Sequence, residues 1–292
     1  MSRRTQPLWS VSVDLDGLGC YAAIHGLAGA LDDRALRAVP EVALGRFCEL
    51  FAELKLRATF FAIGREVQFA PAALRAAASS HEIASHSFAH DYAMSRRTRQ
   101  QIAQDLLQCE EALGGAGIQK PRGFRAPGYT LSASIIDVVR ERGYLYDSSL
   151  LPSPPYYALK ALALFSYALR RRRSHSILGG PGQLFAQRGP HLRRGLRELP
   201  IATTKVLRAP VIGTVVLAAP RTAGWGFAGG YFNLELHGID LLDASDVPAQ
   251  IAAAQPGLRL PAGEKVRRLR EVLRSLPGEA CTLEDAARRL LP

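Results

Sequence analysis

The sequence predicts an α/β protein built on a mainly parallel sheet, either a barrel or a doubly wound fold. Two observations carry this: short β-rich runs alternate with helical stretches through the first half, and the polar motifs fall where those runs end. The chain has 292 residues, of which 48% are apolar. That is ordinary for one α/β barrel with a substantial core.

In order, Val11 to Leu15 reads as a strand and Arg34 to Leu54 as one amphipathic helix. Ala58 to Ile63 follows as a Thr/Phe/Ile strand, Ala70 to Ala78 as an Ala-rich helix and Glu82 to Ser85 as a short strand. Thr98 to Leu113 is a helix ended by Gly114 and Gly115. Gly123 to Arg125 is a strand, Ser132 to Arg142 a helix closed by Gly143, and Tyr144 to Asp147 a strand. The alternation then breaks. Residues 151–197 read as an insertion, with an apolar helical stretch from Tyr156 to Leu169, then Arg170, Arg171, Arg172 and Arg173, then a Gly/Pro-rich stretch. Regular elements resume with Glu198 to Ala202 and Tyr231 to His237. Two helices, Gly263 to Leu276 and Leu283 to Leu291, lie in the C-terminal segment 262–292. The whole of 1–292 is expected to be one domain.

The formal charge is +11. Basic chains suit nucleic acid, anionic lipid or phosphorylated groups, but no nucleic-acid-binding signature accompanies the arginines, and a nucleic-acid role is not expected. Cys20, Cys48, Cys109 and Cys281 are scattered and form no CxxC pair. They read as reduced core thiols, not as a thiolate zinc site. With no apolar leader run and no stretch of about 18 uninterrupted apolar residues, the expectation is a cytoplasmic protein.

The chemistry lies in four motifs. In HSFAH, His86 and His90 are four apart, a spacing that on a helical turn puts both imidazoles on one face, where they can share a metal. In VSVDLDG, Asp14 and Asp16 end a strand on one side of it. A carboxylate supplies the ligand that two histidines lack, and a second carboxylate can act as general base. In GFRAPGY, Arg125 can pair with a catalytic carboxylate, and the backbone N–H at Gly128 or Tyr129 can face an oxyanion. In LELHG, His237 can protonate a leaving amine.

The order of these motifs, with TFFAIG and YDSS between them, resembles the NodB-homology polysaccharide deacetylase family (carbohydrate esterase family 4) over roughly residues 8–150 and 196–243. The resemblance implies a distorted (β/α)7 barrel and a divalent metal, usually zinc. It implies Asp16, His86 and His90 as ligands, Asp14 as base, Arg125 as its orienting group, the Tyr129 amide at the oxyanion and His237 as acid. Asp147 would stand behind them, tethering Arg125 or His237. Two departures matter. Leu15 separates the aspartates that the family has adjacent, so the roles of Asp14 and Asp16 could be exchanged. Glu235 stands where the family often has the leucine that lines the acyl pocket, unless Leu234 or Leu236 takes that place by a strand slip.

The implied activity is removal of an N-acyl group, acetyl or formyl, from an amino sugar in a glycan or lipid-linked saccharide. The Asp-x-Asp spacing and the basic, apolar additions are similar to the branch that deformylates lipid-linked aminoarabinose. Residues 156–173 are therefore a candidate contact with an anionic membrane, at its inner face. The competing readings are a small-molecule amidohydrolase of cyclic imides or ureides on the same barrel, and a non-catalytic membrane- or glycan-binding protein.

Overall fold

In β1 (Leu8–Asp14), the sequence alternates from Trp9 onward, with Trp9, Val11 and Val13 in the outer core and Ser10, Ser12 and Asp14 on the opposite side. This period of two decides which residues enter the barrel. The computed structural model describes residues 6–27, 31–169, 174, 176–221 and 230–291. The other strands are β2 (Thr59–Ala62), β3 (Glu82–Ser85), β4 (Gly123–Phe124), β5 (Tyr146–Asp147), β6 (His191–Arg193), β7 (Leu196–Glu198), β8 (Tyr231–His237) and β9 (Glu279–Ala280). They form a nine-stranded sheet ordered β6-β7-β5-β4-β3-β2-β1-β8, with β9 beside β1. Nine strands less the antiparallel β6 and the two-residue β9 leave a parallel path of seven.

The path curls without a full ladder from β7 to β8 among the described residues. Instead, the Ala202 N–H donates to Asn233 O at 2.9 Å, and Ile212 bridges Glu235. The extended chain after β7 thus closes the curl as a distorted barrel. Helices cover the outside. Phe47, Phe51 and Phe60 pack with ring centroids 5.7 to 6.4 Å apart, all fully buried. Truncating one such ring to alanine costs about 3–5 kcal/mol.

Three expectations on the elements need correcting. Arg34 to Leu54 is not one α-helix: Asp33–Arg37 and Leu44–Glu53 are α-helical, and Ala38–Ala43 between them is a π-helical turn. Pro40 lies in that turn and has no N–H to give to the α-helical ladder, so the turn widens. The strand expected from Val11 begins at Leu8, where β1 pairs with Tyr231 and Glu279. Part of the segment read as insertion belongs to the sheet: β7 pairs in parallel with β5 through Tyr146↔Arg197 and Asp147↔Glu198. The helix Pro154–Leu169 precedes this strand, and Arg170 to Arg173 lie outside the described residues. No helix among the described residues is long and apolar enough to cross a membrane.

Candidate active site

Register gathers the motifs at one rim. Asp14 pairs with His237 and Phe61, Ser85 with Phe124, and Phe124 with Asp147. The C-terminal ends of β1, β3, β4, β5 and β8 therefore meet at one level, the end at which parallel barrels place their sites. They open into a cavity of about 240 Å³.

Leu15 is buried in the outer core, so Asp14 and Asp16 both turn inward. The HSFAH segment is a loop after β3, not the helical turn its spacing suggested. Ser87 (φ 65°) and His90 (φ 49°) are left-handed, and the Ser87 Oγ accepts the His90 N–H at 2.9 Å. Asp105, on the helix Arg99–Gly115, accepts the N–H groups of Phe88 and Ala89 at 2.8 and 2.9 Å. These bonds hold both imidazoles toward Asp16.

His86 Nε2 lies 3.3 Å and His90 Nε2 3.4 Å from Asp16 Oδ1. His86 Nδ1 faces the Arg125 carbonyl at 2.7 Å, so Nδ1 carries the proton and Nε2 turns its lone pair to the carboxylate. Two acceptors facing each other across 3.3 Å call for a cation between them. Asp16 Oδ1 and His90 Nε2 are buried and make no hydrogen bond. Zinc bonds of about 2.0–2.2 Å place neighbouring donors about 3–3.5 Å apart, which is the spacing found here. The three residues therefore fit a divalent metal. Burial opposes the charged form of Asp16, yet His90 and His86 outweigh it and hold its carboxyl below the usual range. Burial lowers His90 to about 4. In His86, burial acts downward, and Asp14 with Asp16 overcomes it to raise the ring above the ordinary imidazole value.

Asp14 does not share that pocket of orphaned donors. Its Oδ1 takes the Arg125 Nη1 at 2.6 Å, and its Oδ2 lies 3.6 Å from His86 Nε2. Arg125, fully buried, also donates from Nε to Ser148 O and from Nη2 to the hydroxyls of Ser12 and Ser148, at 2.8 to 2.9 Å. A guanidinium bonded at this many points sets the carboxylate's position.

Asp147 tethers neither Arg125 nor His237 directly. It accepts the Ser149 hydroxyl at 2.5 Å, and Ser149 Oγ accepts the Ala126 N–H at 2.7 Å, so Asp147 braces the loop after Arg125. The Tyr129 amide is likewise not free to meet an oxyanion, because its N–H donates to Ala126 O at 3.1 Å. The Tyr129 phenol is what enters the cavity, and its OH donates to Glu235 Oε1 at 2.9 Å. Gly128 and Tyr129 are both left-handed, and a Cβ on Gly128 would lie 2.7 Å from the Tyr92 ring.

No strand slip brings a leucine to the acyl side. Ser12 pairs with Glu235, while Leu234 and Leu236 lie in the outer core. Glu235 is fully buried, its Oε1 is 3.2 Å from His237 Nδ1, and its Oε2 has no partner. Burial lifts Glu235 to about 7. Burial alone would depress His237, but Glu235, Asp16 and Asp14 raise it to about 9. The ring of His237 lines the cavity and is 24% exposed, so it is reachable by a substrate.

Sequence reasoning missed Ser12, Ser148 and Asn233, the polar interior around Arg125; the parity of β1 and β8 was their signal. It also missed Asp240, whose Oδ2 accepts the His237 N–H at 2.8 Å, and Tyr156 and Lys160, which come to the cavity from the insertion. For those two no local signal existed.

Fold and site together define an α/β barrel protein with a buried Asp-His-His donor set at its C-terminal rim. Residues 32–146 match the family model described as polysaccharide deacetylase, so this stretch is similar to that family. A peptidoglycan deacetylase of Helicobacter pylori is 27% identical over 155 residues, covering 51% of this chain and 52% of its own length. A peptidoglycan deacetylase-like protein of Gibberella zeae is 28% identical over 147 residues, covering 48% and 43%. The matched region thus spans about half the length of these curated relatives. Among solved structures, one described as a polysaccharide deacetylase from Mycobacterium smegmatis aligns with a TM-score of 0.62 at 17% identity, covering 99% of this chain and 92% of that one. Puue allantoinase aligns with a TM-score of 0.58 at 16% identity, covering 96% and 89%. Both share the fold.

Proposed function

We propose that this protein hydrolyses the N-acyl bond of an amino sugar, using a divalent metal, most simply zinc, held by Asp16, His86 and His90. The observation that carries this reading is the convergence of their donor atoms, with Asp16 Oδ1 and His90 Nε2 left without a hydrogen bond, at a cavity lined by Asp14, Asp16, His86 and His237. When bound, the ion supplies positive charge that polarises the acyl carbonyl and acidifies water. Asp14 is held by Arg125 through Oδ1, which leaves Oδ2 toward the site to take the proton of the attacking water. His237, kept protonated by Glu235, gives a proton to the departing amine. Tyr129 fixes Glu235 through its hydroxyl. Tyr129 lines the cavity with the buried Glu235 behind it, so this side is polar where a leucine was expected, which brings formyl alongside acetyl as the group removed.

The test is amine release by purified, zinc-loaded protein from N-acetylated and N-formylated amino-sugar substrates, with acetate and formate measured separately. Hydantoin and allantoin serve as competitors for the ureide reading. Release of amine from the sugars alone supports the proposal; ring opening of a ureide without any sugar deacylation overturns it.

A second reading concerns the substrate's carrier. The helix Pro154–Leu169 turns Tyr156 and Lys160 to the cavity and leaves Leu159, Leu162, Phe165 and Leu169 63 to 69% exposed. In the sequence four arginines follow directly. An apolar face next to clustered arginines suits an anionic lipid surface, with leucines among the acyl chains and guanidinium groups on phosphates. A lipid-linked saccharide at the inner face of a membrane is the substrate such a contact would present. Flotation with vesicles containing anionic lipid tests it: Leu162→Glu with Phe165→Glu should abolish binding, and wild-type protein that stays at the bottom overturns it.

A further inference from the structure

Of the carboxylates lining the cavity, Asp14 has Arg125 and Asp240 accepts the His237 N–H, while Asp16 faces the two imidazoles of the candidate metal donor set. One cation lining the same cavity has no such counterpart. Lys160, half-buried, donates from Nζ to Gly128 O at 3.3 Å and lies 5.8 Å from the centre of the Tyr156 ring. No carboxylate lies within ion-pairing distance of it among the described residues.

Its placement is built. Tyr156 and Lys160 are one helical turn apart and share the inward face of the insertion helix. Tyr156 meets the Tyr129 ring at 5.7 Å, which fixes the helix against the loop that ends in the site. Ser176 and Thr214 add hydroxyls to the same lining. Burial lowers the Lys160 ammonium to about 8, as expected of a cation that has lost water without gaining an anion. An ammonium left in this state by the protein is matched by an anion that arrives with the ligand.

We infer that Lys160 is a specificity residue that binds an anionic substituent, phosphate or carboxylate, carried by the amino-sugar substrate. This rests on the amino-sugar reading of the site and adds to it a charged substrate class. Lys160 supplies a charge-assisted hydrogen bond and takes no part in breaking the C–N bond.

The experiment measures binding of N-acetylglucosamine, N-acetylglucosamine 1-phosphate and N-acetylmuramic acid to metal-stripped protein, so that no anion is read through a bound ion. The comparison uses wild type, Lys160→Met and Lys160→Arg. Wild type should bind at least one anionic sugar tenfold or more tighter than the neutral one, a gain on the order expected for a hydrogen bond to a charged group. Lys160→Met should lose that preference, binding anionic and neutral sugars equally, and Lys160→Arg should keep it. Which anionic sugar gains identifies phosphate or carboxylate. Equal binding of neutral and anionic sugars by wild type, or a preference that survives Lys160→Met, overturns the inference. Anion preference with no deacylation of any sugar by the zinc-loaded protein would instead overturn the amino-sugar hydrolase reading and leave the anion site standing.

Discussion

Glu235 and His237 stand two residues apart on β8 and point to the same side of it, with Glu235 Oε1 3.2 Å from His237 Nδ1. The carboxylate that orients the candidate acid therefore comes from its own strand. Glu235→Gln removes the charge that holds His237 up. An acid acts only while protonated, so activity should fall as pH rises through the His237 value of about 9. Without Glu235 that alkaline limb should move toward lower pH by about 1–3 units, the usual influence of one close opposite charge. A pH profile of kcat/KM checks this; an unmoved alkaline limb would show that Glu235 does not tune His237.

Asp14 and Asp16 should separate cleanly on substitution. Asp14→Asn should keep its metal and lose about 10²–10⁴ in kcat, the span of general-base contributions. Asp16→Asn should lose metal. Elemental analysis alongside kinetics distinguishes the two, and loss of metal from Asp14→Asn with retention in Asp16→Asn would mean the roles are exchanged.

His86→Ala and His90→Ala should each strip the ion from the purified protein. Because a ligand that binds only the folded state stabilises it, a chelator should lower the wild-type Tm by several degrees. The same chelator should leave the Tm of either variant unchanged. A chelator shift that persists in His86→Ala would place the ion elsewhere.

At the opposite end of the barrel, Glu82 is held by the hydroxyls of Thr59 and Tyr146, both at 2.7 Å, and by the Glu284 N–H at 3.0 Å. Burial raises it from 4.5 to about 7. A carboxyl with a raised folded value binds more protons folded than unfolded, so its contribution to stability declines as pH climbs from about 4.5 to about 7. Full ionisation costs on the order of 3 kcal/mol by that shift. The stability advantage of wild type over Glu82→Gln should therefore be largest near pH 4.5 and shrink toward pH 8, as read from denaturant midpoints. A constant difference across that range would contradict it.

The motif residues were legible because each is fixed locally. Alternation in SVSVD sends Ser12 and Asp14 inward, and the same parity puts Asn233, Glu235 and His237 on one side of β8. The sequence by itself thus determined the parallel α/β order and which side chains share the inner rim, since strand parity depends only on neighbours along the chain. It could not decide partners. That Asp147 reaches Ala126 through Ser149, or that Arg125 rests on Ser12 and Ser148, depends on which strands lie side by side and at what register. The shape of the loop from His86 to His90 was not legible in the sequence, because it is set by Asp105, which lies well beyond it on another element. Lys160 could be placed in the cavity only by the tertiary structure, because the helix that carries it is seated through Tyr156 against Tyr129, a contact made across the fold and encoded in no local pattern.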